Sequence, residues 1–332
     1  VIRIVVVAAL GILLGCRSNK VTEPVGEDSG GGGGQAVVAP AVSASPSGTS
    51  GEVREQGPPP ARWALWPMPN FTMSGLPHPA SYDVSSTGTV FDRVTGLMWQ
   101  REVGAKNMSL DDATETCARL DLGGYHDWRV PSRIELVSIL DMGETKPSID
   151  RGAFPGTPPD WFWTSSDSAK SPTEAWYVYF YFGYPKTDER RSHFRVRCVR
   201  TERAPAYTGD PDAHYEVGGA SVADRATGLV WERVVPPRTF NFTGAAEYCA
   251  HLNLDRHLDW RVPSLPELET LVDERKANPS IDSSAFPETP PEQFWTSSLF
   301  GNKGGDAWHV GFDHGDAIYA QFKWTYRVRC VR

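Results

Sequence analysis

The sequence predicts an α+β protein made of two domains in tandem, each with two helices, a mainly antiparallel sheet and one disulfide. Three observations carry that prediction. The second half of the 332-residue chain repeats the first at an offset of 132 residues, the distance from Cys117 to Cys249. Each copy holds one cysteine pair at a spacing of 81 residues, Cys117 with Cys198 and Cys249 with Cys330. Within each copy, helix-start signals come first and short alternating apolar runs follow.

The offset holds without a gap from Asp92/Asp224 to Arg200/Arg332, and roughly 45% of the paired positions are identical, far above chance for an internal repeat. Asp-Arg-x-Thr-Gly-Leu (92 and 224) reads as a turn, followed in the first copy by a strand over 97–101. Ser109 and Asn241 are N-caps for a first helix, where their side-chain oxygens satisfy free backbone N–H groups. Ala113, Cys117 and Leu120 then fall on one face, as do Ala245, Cys249 and Leu252. Ser132-Arg-Ile-Glu135 and Ser264-Leu-Pro-Glu267 are capping boxes that open a second helix. The remainder reads as strands: 162–166, 175–182 and a last strand over 194–199. Alternation puts Trp176, Val178, Phe180 and Phe182 inward, and the second copy keeps Trp308, Val310 and Phe312 on that face. The other face, Tyr177, Tyr179 and Tyr181 against His309, Gly311 and Asp313, changes between copies and is assigned to solvent or ligand.

The first 16 residues read as a lipoprotein signal. An apolar run broken only by Arg3 leads to Leu13-Leu14-Gly15-Cys16, with Cys16 the residue to be acylated. The run is too short to span a bilayer, so the expected membrane attachment is the lipid anchor alone. Arg17, rather than Asp, follows the cysteine and points to the outer membrane, facing either the periplasm or the exterior. Residues 17–62, rich in Gly, Ser, Pro and Ala, read as a flexible tether. The expected domains are 63–200 and 214–332, with a polar linker over 201–213. Trp63-Ala-Leu-Trp66 is either the start of the first domain or a strap lying on it. Export places the four remaining cysteines in an oxidising compartment, and duplication selects Cys117–Cys198 and Cys249–Cys330 among three possible pairings.

A cysteine on the first helix joined to one on the last strand staples the beginning of each domain to its end. With two helices and a following sheet, that is the plan of a C-type-lectin-like domain. Four motifs sharpen the likeness in both copies: Asp-Arg-x-Thr-Gly-Leu-x-Trp, Asp-Trp-Arg-Val-Pro-Ser, Phe-Trp-Thr-Ser-Ser and Arg-Val-Arg-Cys-Val. Together they resemble the Lcl C-terminal domain family over residues 80 to 332. The resemblance implies a lectin-like domain of bacterial surface proteins; the named member is a collagen-like adhesin that binds sulfated glycosaminoglycans. This chain has no Gly-X-Y repeat and carries two copies in tandem.

The net charge of −8 argues against nucleic acid as a partner. No Ser-His-Asp order, phosphate loop, HExxH or CxxC motif is present, so no catalytic residue and no enzyme activity are expected. The candidate ligand-binding residues lie before the last strand, where the copies diverge most. The first copy gathers Lys186, Arg190, Arg191 and His193 beside Tyr179 and Tyr181, suited to an anion and to sugar faces. The second offers Tyr319, Lys323 and Trp324, more apolar and suited to another sugar, a protein or the seam between domains. Asp127, Asp259, Asp150 and Asp282 are the carboxylates that would suit calcium, but turn and capping roles account for them and no metal site is assigned. The expected function is a surface- or envelope-anchored, non-catalytic binding lipoprotein directed at a glycan or anionic polysaccharide. A protein-interaction module of an envelope assembly is the alternative.

Overall fold

The computed structural model describes residues 60–302 and 304–332. The signal segment, Cys16 and all but the end of the tether lie outside the described residues. The first repeat runs β1 (Tyr82–Val84), β2 (Thr89–Asp92), β3 (Leu97–Gln100), α1 (Leu110–Ala118), α2 (Arg133–Val137), β4 (Trp161–Asp167), β5 (Glu174–Tyr179), β6 (Tyr184–Glu189) and β7 (Val199–Thr201). The second runs β8 (Tyr215–Val217), β9 (Ser221–Asp224), β10 (Val230–Glu232), α3 (Phe242–Ala250), α4 (Leu265–Glu269), β11 (Gln293–Leu299), β12 (Asp306–Gly311) and β13 (Ala317–Gln321). Each repeat has an antiparallel sheet of its outer strands, β1-β2-β3-β7 or β8-β9-β10, and a second sheet, β4-β5-β6 or β11-β12-β13.

The repeated motifs are the corners of this fold. Asp92 Oδ1 accepts from the backbone of Val94 (2.9 Å) and Thr95 (3.2 Å), turning β2 into β3, and Asp224 does the same for Ala226 and Thr227. Both capping boxes form. Each is extended by an arginine, since Arg129 grips Glu135 with two hydrogen bonds of 2.7 Å and Arg261 grips Glu267 at 2.7 and 2.8 Å. Trp-Arg-Val-Pro-Ser-x-x-Glu is therefore one interlocked unit that fixes the entry of the short second helix. In the closing motif, Arg197 and Arg329 are fully buried. Their guanidinium groups donate to main-chain carbonyls, Arg101 O at 2.7 Å and Arg233 O at 2.8 Å, and to Thr157 and Thr289. Burial pulls their pKa values down to about 9 and about 10.

Two expectations change. The stretch 194–199 is not a continuous strand: Phe194 and Arg195 make isolated bridges to Met108 and Phe162, and only Val199–Thr201 pairs as β7 beside β3. Tyr177 and His309 do not face solvent. Their strands, β5 and β12, are the middle strands of their sheets and are covered on both sides. One side meets a large core containing Val178 and Phe180, and Trp176 is buried on that side with the Arg133 guanidinium over its ring at 5.4 Å. On the other, Tyr177 packs with Trp163, Phe194 and the Cys117–Cys198 disulfide, and His309 lies against Trp295 and Tyr326. Burial lowers the His309 pKa to about 4, so its ring is neutral.

The large core is common to both repeats. It runs from Ile134, Leu136 and Phe180 to Leu265, Leu268 and Phe312. Residues 61–70 lie across it: Trp66 and Met68 are buried there, Trp63 Nε1 donates to Asp212 (3.1 Å) and Asn70 Nδ2 reaches Glu267 (3.4 Å). The seam between repeats is not symmetric. Arg133 of α2, fully buried, pairs with Glu269 of α4 and also donates to the carbonyls of Glu269 (3.1 Å) and Val272 (3.2 Å). Glu274 lies 3.6 Å from its Nε. By the 132-residue offset the counterparts of Arg133, Glu269 and Glu274 are Leu265, Val137 and Met142, all apolar. Gly315 sits at this seam with φ +90°; a Cβ there would meet Val272 Cγ1 at 2.4 Å.

Candidate functional site

The register of β4 against β5 sets Trp161 opposite Tyr179. Their rings stack at 5.1 Å and 13°, and Tyr181 continues the stack at 5.7 Å and 14° from Tyr179. Lys146 Nζ lies 5.0 Å from the Tyr181 ring centroid and ends the row with a cation. Trp161 is 39% exposed, high for an indole, and both tyrosines are partly exposed. Burial, with Tyr181 and Asp160 nearby, raises the Tyr179 pKa, so its hydroxyl stays neutral. The aromatic run then crosses the seam: Tyr181 meets Phe182 at 4.4 Å, Phe182 meets Phe300 at 5.2 Å, and Phe300 stacks on Tyr319 at 3.8 Å and 15°.

The row is a property of the first repeat. The positions matching Trp161, Tyr179, Tyr181 and Lys146 are Gln293, Gly311, Asp313 and Asn278. Sequence reasoning found the two tyrosines and missed Trp161 and Lys146. Trp161 lies immediately before a repeated motif, and its replacement by Gln293 was the available signal.

Of the basic residues, Lys186 lies opposite Tyr177 on β6, and the others stand farther away. Glu174 pairs with Glu189 at one end of β5 and Tyr179 with Tyr184 at the other. Arg190 follows Glu189 and faces Thr173, so it is about six residues from Tyr179 along the strand, roughly 20 Å at the usual rise. Lys186, Arg191 and His193 are exposed, but Arg190 is tied to Asp167 and lies 3.8 Å from Asp111. Its backbone also joins the hairpin to α1, donating to Thr173 O at 2.9 Å and accepting from Leu110 N at 3.0 Å. The structure thus separates Arg190 from the aromatic row and leaves Lys186, opposite Tyr177, near it, and the central arginine of the basic set is already neutralised. In the second repeat Tyr319 stacks on Phe300 at the seam while 39% exposed, and Lys323 and Trp324 are exposed as well, Trp324 at 55%.

The carboxylates that would suit calcium are engaged locally. Asp127 accepts from Arg200 (2.6 Å) and Asp259 from Arg332 (2.9 Å). Asp150 and Asp282 hold turns through the backbone N–H groups of Gly152 and Ser284. Among the described residues no group of three or more His, Cys, Asp or Glu side chains could hold a metal ion. Nor, among them, is any helix long and apolar enough to cross a membrane.

A scan against protein-family models matches the Lcl C-terminal domain twice, over residues 88–200 and 220–332, together more than half of the chain. No curated protein matches it.

Proposed function

The chain belongs to the Lcl C-terminal domain family, and from two such domains in tandem we propose a non-catalytic binding lipoprotein of the bacterial envelope that engages a glycan through its first repeat. The observation that carries this reading is the half-exposed row Trp161–Tyr179–Tyr181 ended by Lys146. Aromatic surface takes up the C–H faces of sugar rings, phenol hydroxyls supply donors and acceptors, and the row is held by the sheet before any ligand arrives. A site of this kind binds one or two sugar units weakly. A long polymer gains strength by meeting several copies on one surface, which is the benefit of a lipid-anchored, tethered display. Lys186 on β6, with Arg191 and His193 beyond the end of that strand, adds an anion-accepting end for a polymer long enough to reach them.

The test is a glycan array probed with the full chain in detergent micelles. Wild type should bind, and Trp161→Ala/Tyr179→Ala should lose at least about tenfold in affinity, the loss of roughly 1.4 kcal/mol or more. Arg190→Ala should bind as wild type, because that guanidinium is already committed to Asp167. Full binding by the Trp161/Tyr179 variant would remove the first-repeat row from consideration, and a blank array would turn the search to an envelope protein as partner.

A further inference from the structure

A second concave site lies in the other repeat, between the outer face of α3 and the segment that enters it. It is a groove of about 470 Å³ lined by Arg238, Phe240, Gly244, Glu247, Tyr248 and His251, among others. That volume falls in the ordinary range for small-molecule sites, about 300–1,000 Å³. Four differences between the copies shape it. At Gly244 the first repeat has Asp112, whose backbone and carboxylate are both engaged by the Ser109 cap. At Tyr248 it has Thr116. At His251 it has Arg119, which forms an ion pair with Glu115. At Glu232 it has the neutral Gln100.

Each difference works toward an open groove with a fixed floor. Gly244 removes a side chain from the first turn of α3, where glycine costs about 0.5–1 kcal/mol relative to alanine. The Tyr248 hydroxyl donates to the buried carboxylate of Glu232 at 2.5 Å, which locks the phenol ring against Phe240, 4.9 Å away. The other oxygen of Glu232 accepts from Cys330 N at 3.1 Å, as Gln100 accepts from Cys198 N. An amide therefore satisfies the backbone equally well, and the extra burden of a buried carboxylate is explained by its hold on Tyr248. His251 donates through Nδ1 to Glu247 O at 2.8 Å, leaving Nε2 for a ligand, and it does not neutralise the Glu247 side chain as Arg119 does Glu115. Arg238 lies over Phe240 at 4.7 Å. Among the described residues neither Arg238 nor Glu247 has an ion-pair partner.

A locked aromatic floor with one cation and one carboxylate on the same groove disfavours a ligand that carries charge of a single sign. A sulfated or carboxylated unit meets Glu247, with Glu232 behind the floor. A cationic unit meets Arg238. A ring with an apolar face and vicinal hydroxyls meets neither penalty, donating to Glu247 and accepting from Arg238. We propose that the α3 groove of the second repeat is a binding subsite for one uncharged pyranose unit, separate from the aromatic row of the first repeat. This deepens the glycan reading and rests on it for the class of ligand.

The experiment is saturation-transfer NMR of the full chain in micelles with methyl glucopyranoside, methyl galactopyranoside and N-acetylglucosamine, each beside a sulfated or uronic-acid analogue. Glu232→Gln/Gly244→Asp/Tyr248→Thr removes the phenol floor and occupies the place of Gly244 with the residues the first repeat already carries, which favours retention of the fold; near-UV circular dichroism checks it. Arg238→Gln/Glu247→Gln removes only exposed charges and serves as the second variant. At least one uncharged probe should give saturation transfer in Trp161→Ala/Tyr179→Ala, where the first-repeat row is removed, and that transfer should fall about tenfold or more when either groove variant is added to the same background. Undiminished transfer in the groove variants, stronger transfer to the charged analogues, or no transfer to any uncharged probe would overturn the subsite. If the array still shows polymer binding that depends on Trp161, the broader glycan reading survives that failure; if the array is blank as well, both fall.

Discussion

Arg133→Ala is expected to destabilise the described region by about 3–5 kcal/mol, the loss typical of removing one partner from a buried ion pair. Arg133 and Glu269 are both shielded from solvent at the seam, and Glu274 shares the same guanidinium. Without Arg133 two carboxyls remain buried with no cation, so the variant carries their desolvation with nothing to offset it. The opposite outcome is expected when the whole cluster is replaced. In Arg133→Leu/Glu269→Val/Glu274→Met, each position takes the residue that the other repeat has at the matching place, and stability should be unchanged or raised by about 1–4 kcal/mol. Urea unfolding checks both, and a single variant within about 1 kcal/mol of wild type would show that the pair contributes nothing to holding the seam. The pH dependence supplies an independent reading. Burial pushes the Glu269 carboxyl up to about 7 against the pull of Arg133, with Asp316 adding to the rise, and Glu274 is raised by burial as well. The folded state therefore holds these protons more tightly than the unfolded chain. Their contribution to stability is present in full below the ordinary glutamate value of 4.5 and is lost as pH rises through about 7. Relative to the triple variant, wild type should weaken across that window; a difference that stays flat with pH would contradict the assignment.

Much of the architecture was legible because it rests on local chemistry. A capping box is written within four residues, and the Asx turn at Asp92 within five. The disulfides were legible because duplication repeats an internal bridge, and the structure has Cys117–Cys198 and Cys249–Cys330. What stayed hidden depends on residues far apart in the chain. Alternation in β5 marked Trp176, Val178 and Phe180 as inward, but Tyr177 is covered by Phe194 and Trp163 from elsewhere in the repeat. An aromatic hydroxyl does not announce whether its ring faces water or a second core. The same limit applied to the site. By type and position Arg190 is a candidate for an anion, and only the fold brings Asp167 and Asp111 to it. Tyr179 and Tyr181 were visible as a difference between copies, whereas Lys146 joins them from 35 residues before Tyr181. The offset between copies held one further signal: Arg133 against Leu265 and Glu269 against Val137 are charge-for-apolar differences at buried helix positions. Such a pair of complementary changes marks the surface where two copies meet, since a charge on one side of a buried seam requires its partner on the other.

Removal of one disulfide, as Cys117→Ala/Cys198→Ala, is expected to cost about 4.5 kcal/mol, the chain-entropy value for a loop of this length, within a general range of about 0–5. The bridge joins the C-terminal end of α1 to the residue just before β7, and β7 is the short strand that closes the first sheet beside β3. A three-residue edge strand has few ladder bonds of its own, so the covalent link adds most where the sheet is otherwise easiest to open. The sequence separation is 81 in both repeats, so Cys249→Ala/Cys330→Ala should cost a similar amount if the unfolded-state constraint dominates. The surroundings differ, because Gln100 supports Cys198 while the buried carboxylate of Glu232, raised by burial, supports Cys330. A second-repeat loss clearly larger than the first would therefore locate the extra stability in the native packing around Glu232 and Tyr248 instead. Urea unfolding of the two variants against wild type separates these cases. Losses below about 1 kcal/mol in both would mean that α1 and the closing strand are held by Trp128, Val130 and Val196 and their counterparts, with the bridges secondary to that packing.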